Sequence, residues 1–159
     1  MGRLRNGDRL VIVRGPGRGL PGDWHDERMG AVFEHPVGVR WRDVDALGHV
    51  NHAVYLTYLE EGRDAFFARA LGSDPRYVVV RLEVDLRAEV RYDDRQVTVR
   101  IQAERVGTTS LTTRETVLTP SGEVVAQARV VSVRWDAGDG KPVPFTEAER
   151  AQLAAAMTG

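Results

Sequence analysis

Trp41-Arg42-Asp43-Val44-Asp45-Ala46-Leu47-Gly48-His49-Val50-Asn51-His52-Ala53-Val54-Tyr55-Leu56-Thr57-Tyr58-Leu59-Glu60-Glu61-Gly62-Arg63 is the stretch from which the fold can be read. Up to Asn51 it has a turn glycine and no clear period. From His52 the pattern becomes helical. Tyr55, Leu59, Gly62, Phe66 and Ala70 recur at steps of four, three, four and four, one stripe of a helix over 52–71. Asn51 stands at the N-cap position, and Gly72 with Ser73, Asp74 and Pro75 behind it is a stop signal. Two acids, two histidines and an asparagine fall within ten positions ahead of this helix. Polar groups so dense beside core-forming segments are costly unless they are used. The first amides of a helix have no intrahelical partner, so a developing oxyanion would be stabilised there.

Outward from the helix the periods change to two. Phe33 to Trp41 reads as a strand, with Val37, Val39 and Trp41 on one face and Arg40 and Arg42 on the other. Beyond Pro75, Val78, Val80, Leu82, Val84 and Leu86 alternate with polar partners. Tyr92-Asp93-Asp94-Arg95 is a turn, after which Val97, Val99, Ile101 and Ala103 mark another apolar face. Gly107 turns the chain into Ser110–Leu118, a stretch rich in threonine and valine. Val124 to Trp135 is apolar on both faces and therefore central in the sheet. Thr146 with Glu149 three residues on is a capping box opening a short helix to Met157. The order strand, long helix, four strands, short helix is an α+β domain, an antiparallel meander with one dominant helix on its apolar face. No glycine-rich phosphate loop stands between a strand and a helix, and no Gly-x-Ser-x-Gly elbow is present.

The ends and the composition set the remaining bounds. Residues 1–30 hold seven glycines with Pro16 and Pro21, and their one apolar run is Leu10–Val13. Such chain loses much entropy on ordering and has little to bury. The expectation is a flexible extension over 1–30 and a domain over 31–159. Met29 as an alternative start and a short added strand at Arg9–Val13 are the rival readings. With 159 residues, one domain with its own core is expected, and the absence of cysteine excludes disulfides and thiol chemistry. Twenty-two basic residues against 23 acidic ones argue against nucleic acid or an anionic membrane as partner. No apolar run is long enough for a membrane span or a secretory signal, so a cytoplasmic location is expected.

The pattern Asp-x-Asp-Ala-x-Gly-His-Val-Asn-x-Ala-x-Tyr-x-x-Tyr-x-Glu-x-x-Arg, from Asp43 to Arg63, resembles the hotdog-fold thioesterases. The branch is that of the 4-hydroxybenzoyl-CoA thioesterases and the bacterial acyl-CoA thioester hydrolases. The resemblance covers roughly residues 33–145. It implies a long helix wrapped by a five-stranded antiparallel sheet, and subunits paired as dimers or tetramers with active sites at their interface. It implies hydrolysis of an acyl-CoA or acyl-carrier-protein thioester, with coenzyme A as part of the substrate and no separate cofactor. By this resemblance Asp45 is the general base or nucleophile, and Asp43 ends the strand and holds the loop. The His52 backbone amide polarises the thioester carbonyl, while its side chain can orient water or protonate the leaving thiolate. Asn51 caps the helix or positions water, and His49 braces the loop. Tyr55 lies nearest the acyl pocket, and Thr109 after the Gly107 turn is a candidate pantetheine contact. Glu60 is read as the partner of Arg63. Asp45, His49 and His52 could be spaced as metal ligands, but the motif needs no metal. Two alternatives stay open: an enoyl-CoA hydratase, whose usual Asn-Pro after the aspartate is missing here, and an acyl-CoA-binding domain without turnover.

Overall fold

The computed structural model describes residues 32–72 and 76–158. The expected extension over 1–30 and the rival strand at Arg9–Val13 lie outside them. The elements are β1 (Phe33–Gly38), α1 (Val54–Leu71), β2 (Tyr77–Leu86), β3 (Gln96–Val106), β4 (Ser110–Leu118), β5 (Val124–Asp136), the two-residue β6 (Lys141–Pro142) and α2 (Glu147–Thr158). All pairings are antiparallel and the strand order is β1-β3-β4-β5-β2, with β6 on β5. Only β3, β4 and β5 form the expected meander. β1 and β2 are separated by α1 and take the two edges. β5 is internal, as its apolar residues on both faces require. No helix among the described residues is long and apolar enough to cross a membrane.

Register explains the core. One row runs Phe33, Ile101, Glu115, Ala128, Val84 across all five strands, and the row beside it holds Val99, Val117, Ala126 and Leu86. Paired residues share a face, so these rows form one surface, and α1 lies on it. Tyr55, Tyr58, Leu59, Gly62, Arg63, Phe66 and Phe67 are the buried residues of the helix. Gly62 sits directly on β3. A methyl added there would fall inside the van der Waals radii of Val99 Cβ and Cγ1. Gly62→Ala is therefore expected to destabilise the fold by about 1–3 kcal/mol, because overpacking outweighs the better helix propensity of alanine. A chemical-denaturation midpoint checks this, and an unchanged midpoint would show that the helix can lift off the sheet without loss.

Three sequence readings need correction. The first strand ends at Gly38 and a single 3-10 turn follows at Trp41–Asp43, so Trp41 leaves the strand face and is 76% exposed. In β2 the register shifts between Val79 and Arg81, so Val80 drops out of the alternation and is 60% exposed. Arg63 does not pair with Glu60, which is exposed; it reaches from α1 to Glu115 on β4 (Nε to Oε1 2.9 Å, Nη2 to Oε2 3.2 Å). Thr113 Oγ1 also donates to Glu115 Oε1 at 2.8 Å. Parity carried the signal, since Glu115 alternates with Leu111, Thr113 and Val117 on the inward face. The C-terminal capping box is as read: Glu149 N–H donates to Thr146 Oγ1 at 3.2 Å, and Thr146 N–H to Glu149 Oε2 at 2.7 Å.

Candidate active site

The loop from Val39 to Ala53 is held from several sides. At its start Val39 N–H donates to Arg95 O at 2.9 Å, and Arg40 N–H to Asp43 Oδ2 at 2.8 Å. Asp43 is buried, and the same Oδ2 accepts the Tyr58 hydroxyl at 2.8 Å. Burial and this bond to a carboxylate push the Tyr58 hydroxyl far above the ordinary tyrosine range, so it stays a donor. Asn51 N–H donates to Asp43 O at 2.8 Å and Val50 N–H to Val90 O at 2.8 Å. Asp43 thus fixes the loop, as read from the sequence, but it does not end the strand, which stops at Gly38, five residues earlier.

Between these anchors the chain makes a tight hairpin. Val44 and Val50 form an antiparallel bridge, Asp45 N–H donates to His49 O, and Gly48 N–H donates to Asp45 O, both at 3.0 Å. Gly48 has φ +83°, a left-handed conformation that glycine adopts without strain. Asp45 Oδ1 accepts the Leu47 N–H at 2.8 Å and lies 3.8 Å from His49 Nδ1. Its Oδ2 has no hydrogen-bond partner among the described residues, and the carboxylate is partly open to solvent. Asp45 is therefore both the turn residue of this hairpin and a carboxylate with one oxygen unengaged.

The helix opens two residues later than the sequence suggested. Asn51 Oδ1 accepts the Ala53 N–H and Asn51 O the Val54 N–H, both at 2.9 Å, so Asn51 caps a turn over His52 and Ala53 that leads into α1. Among the described residues nothing accepts from the His52 N–H, and the His52 side chain is exposed. This amide stands at the positive end of the α1 dipole. Tyr55 is buried. Its hydroxyl donates to Ala88 O at 3.3 Å and accepts the Val90 N–H at 3.0 Å, and burial pushes it up to about 12. Within one chain Tyr55 therefore ties the segment after β2 to the start of α1.

Asp45, His49, Asn51 and His52 thus share one braced loop, and Tyr55 is tied beside it through Val90, whose carbonyl accepts the Val50 N–H. Thr109 is not among them. It lies in the β3–β4 turn, where its carbonyl accepts Arg134 N–H at 2.8 Å, whereas the Asp45 loop is tied to Arg95, just before the start of β3. The eleven residues of β3 separate the two, roughly 30 Å at strand rise. Glu61, the other mid-helix acid, pairs with Arg40 at 2.7 Å. Among the described residues no three His, Asp or Glu side chains converge as metal ligands. Among the described residues the braced loop thus presents an unengaged carboxylate oxygen on Asp45 and, seven residues on, an unengaged His52 amide at the start of the helix.

The family model described as the thioesterase-like superfamily matches residues 39–153, which takes in this loop, α1 and strands β2 to β6. The chain belongs to the thioesterase-like superfamily. Solved structures of the superfamily agree with the fold of this thioesterase-like protein. A predicted thioesterase from Bacillus stearothermophilus is 32% identical, with a TM-score of 0.71 over 78% of this chain and 95% of that one. A thioesterase from Thermus thermophilus, complexed with coenzyme A and Zn, is 35% identical, with a TM-score of 0.68 over 78% and 92%. The uncharacterized protein YsmA of Bacillus subtilis (strain 168) is 29% identical over 126 residues, 76% of this chain and 84% of that protein.

Proposed function

We propose that this thioester hydrolase acts in the cytoplasm on acyl-CoA, with Asp45 and the His52 amide as its catalytic pair. The observation that carries the reading is the hairpin of Asp43–Asn51. It engages one oxygen of Asp45 and leaves the other unengaged, just ahead of an unengaged helix-terminal amide. Oδ2 takes a proton from water, which attacks the thioester carbonyl, or attacks that carbonyl itself to give an anhydride that water then clears. In either course the carbonyl oxygen gains negative charge, the His52 N–H is placed to donate to it, and the thiolate leaves. Coenzyme A bound to the Thermus thermophilus thioesterase supports a CoA thioester as the substrate class.

A second subunit is part of the same reading. Trp41 and Leu47, four residues before and two after Asp45, are 76% and 78% exposed, and Val79 and Val80 stand exposed on the edge strand β2. Apolar groups on an unpaired edge and around a polar site are the kind of surface a paired copy covers. Thiol release from a panel of acyl-CoAs of different chain length, with aromatic acyl groups included, tests the reading. Release is expected for at least one member. Loss of enoyl absorbance without thiol release would replace hydrolysis by hydration, and tight binding with no product would replace it by a binding role.

A further inference from the structure

We propose that the apolar groove between the C-terminal half of α1, the start of β1 and α2 is a docking site for this chain's own Leu10-Val11-Ile12-Val13 segment. The groove is open and offers about 490 Å³; Val32, Phe33, Phe66, Ala70 and Ala155 give it an apolar lining, to which Arg69 and Gln152 add polar groups. Phe33 and Phe66 meet edge-on with their centroids 5.7 Å apart. Phe66 is eleven residues along α1 from Tyr55, about 16 Å at helical rise, so the groove stands apart from the Asp45 loop. It also lies beside β1, an edge of the sheet that has no strand partner on its outer side among the described residues.

Three features choose the occupant. Val32, the first described residue, is itself a lining residue. Leu10–Val13 is the one run of four apolar residues in that preceding chain. In an extended form it would offer Leu10 and Ile12 on one face, with its backbone free to pair with an open strand edge. The 18 residues from Arg14 to Ala31 can span up to about 60 Å, which brings the segment within reach. A tether of this length sets an effective concentration on the order of millimolar, so a weak contact suffices to fill the groove.

The chain has no cysteine, which makes a thiol placed in the groove a clean reporter. In the full chain carrying Ala70→Cys, the rate of maleimide labelling is expected to rise about tenfold when Leu10→Asp and Ile12→Asp are added. That is the ratio a millimolar effective concentration gives on a contact of about 0.1 mM. The slow rate is expected to be independent of protein concentration. Thiol release from acyl-CoA, measured on both chains, is expected to be equal and shows that both are folded. Equal labelling rates with and without the two aspartates would overturn the proposal. So would protection that grows with protein concentration, because a second copy would then be the occupant.

Discussion

Asp45→Asn is expected to lower kcat/KM for acyl-CoA hydrolysis by about a hundred- to ten-thousand-fold, the range a positioned general base contributes. The substitution is chosen for what it leaves intact. Asparagine keeps an Oδ1 that can accept the Leu47 N–H, so the hairpin that depends on that bond survives. What it removes is the charge and basicity of the oxygen that has no partner. Thiol release measured beside a thermal melt separates the two effects, with activity falling and the melt holding. His52→Ala is the companion measurement. It keeps the backbone N–H at the start of α1, so on the amide reading it costs at most about tenfold. A loss as large as that of Asp45→Asn would move catalysis from the amide to the imidazole. Unchanged turnover in Asp45→Asn would remove Asp45 from the mechanism.

Arg63→Met should destabilise the protein by about 3–5 kcal/mol, the usual cost of leaving one member of a buried ion pair alone. Arg63 and Glu115 are 4% and 0% exposed, and their bidentate contact sits in the middle of the helix–sheet interface. Removing the guanidinium leaves Glu115 with the Thr113 hydroxyl alone. The double variant Arg63→Met with Glu115→Leu is expected to recover most of the loss, since it leaves no uncompensated charge. Urea denaturation of the wild type, both single variants and the double gives the coupling directly. A double variant as unstable as the sum of the singles would show that the two side chains act independently. Burial pushes the Glu115 carboxyl up from 4.5, while Arg63 and Thr113 pull it back down without cancelling the rise. A carboxyl raised in the folded state adds stability that is fully present below about pH 4.5. That stability is lost as pH rises through the folded value. Glu115→Gln should flatten this part of the stability-against-pH curve.

The single-residue signals in the chain are local, and they carried the elements well. The steps of four and three along Tyr55, Leu59, Gly62 and Phe66 gave α1, and strict alternation gave β3 and β4. Gly48, Gly107 and the Thr146–Glu149 box marked turns and caps by backbone chemistry that needs no distant partner. The Asp43–Asn51 run could be recognised as a polar, costly loop, and its resemblance to known thioesterases named its parts.

Other properties depend on which strand lies beside which, and that is set by packing over the whole chain. The partner of Arg63 is 52 residues away and was misread as a neighbour on the same helix. The sequence put Tyr55 nearest the acyl pocket, and it held no sign of the bonds its hydroxyl makes with Ala88 and Val90, more than thirty residues away. Thr109 and Asp45 each carried a plausible role, yet the length of β3 holds them apart within one chain. The sequence by itself determined the elements, their order and the loop on which the chemistry is placed, because periodicity and turn geometry act over a few residues. Only the tertiary structure decided that Asp43 and Glu115 are buried while one oxygen of Asp45 is left without a partner among the described residues, because burial and hydrogen-bond partners follow from register between segments far apart in the chain.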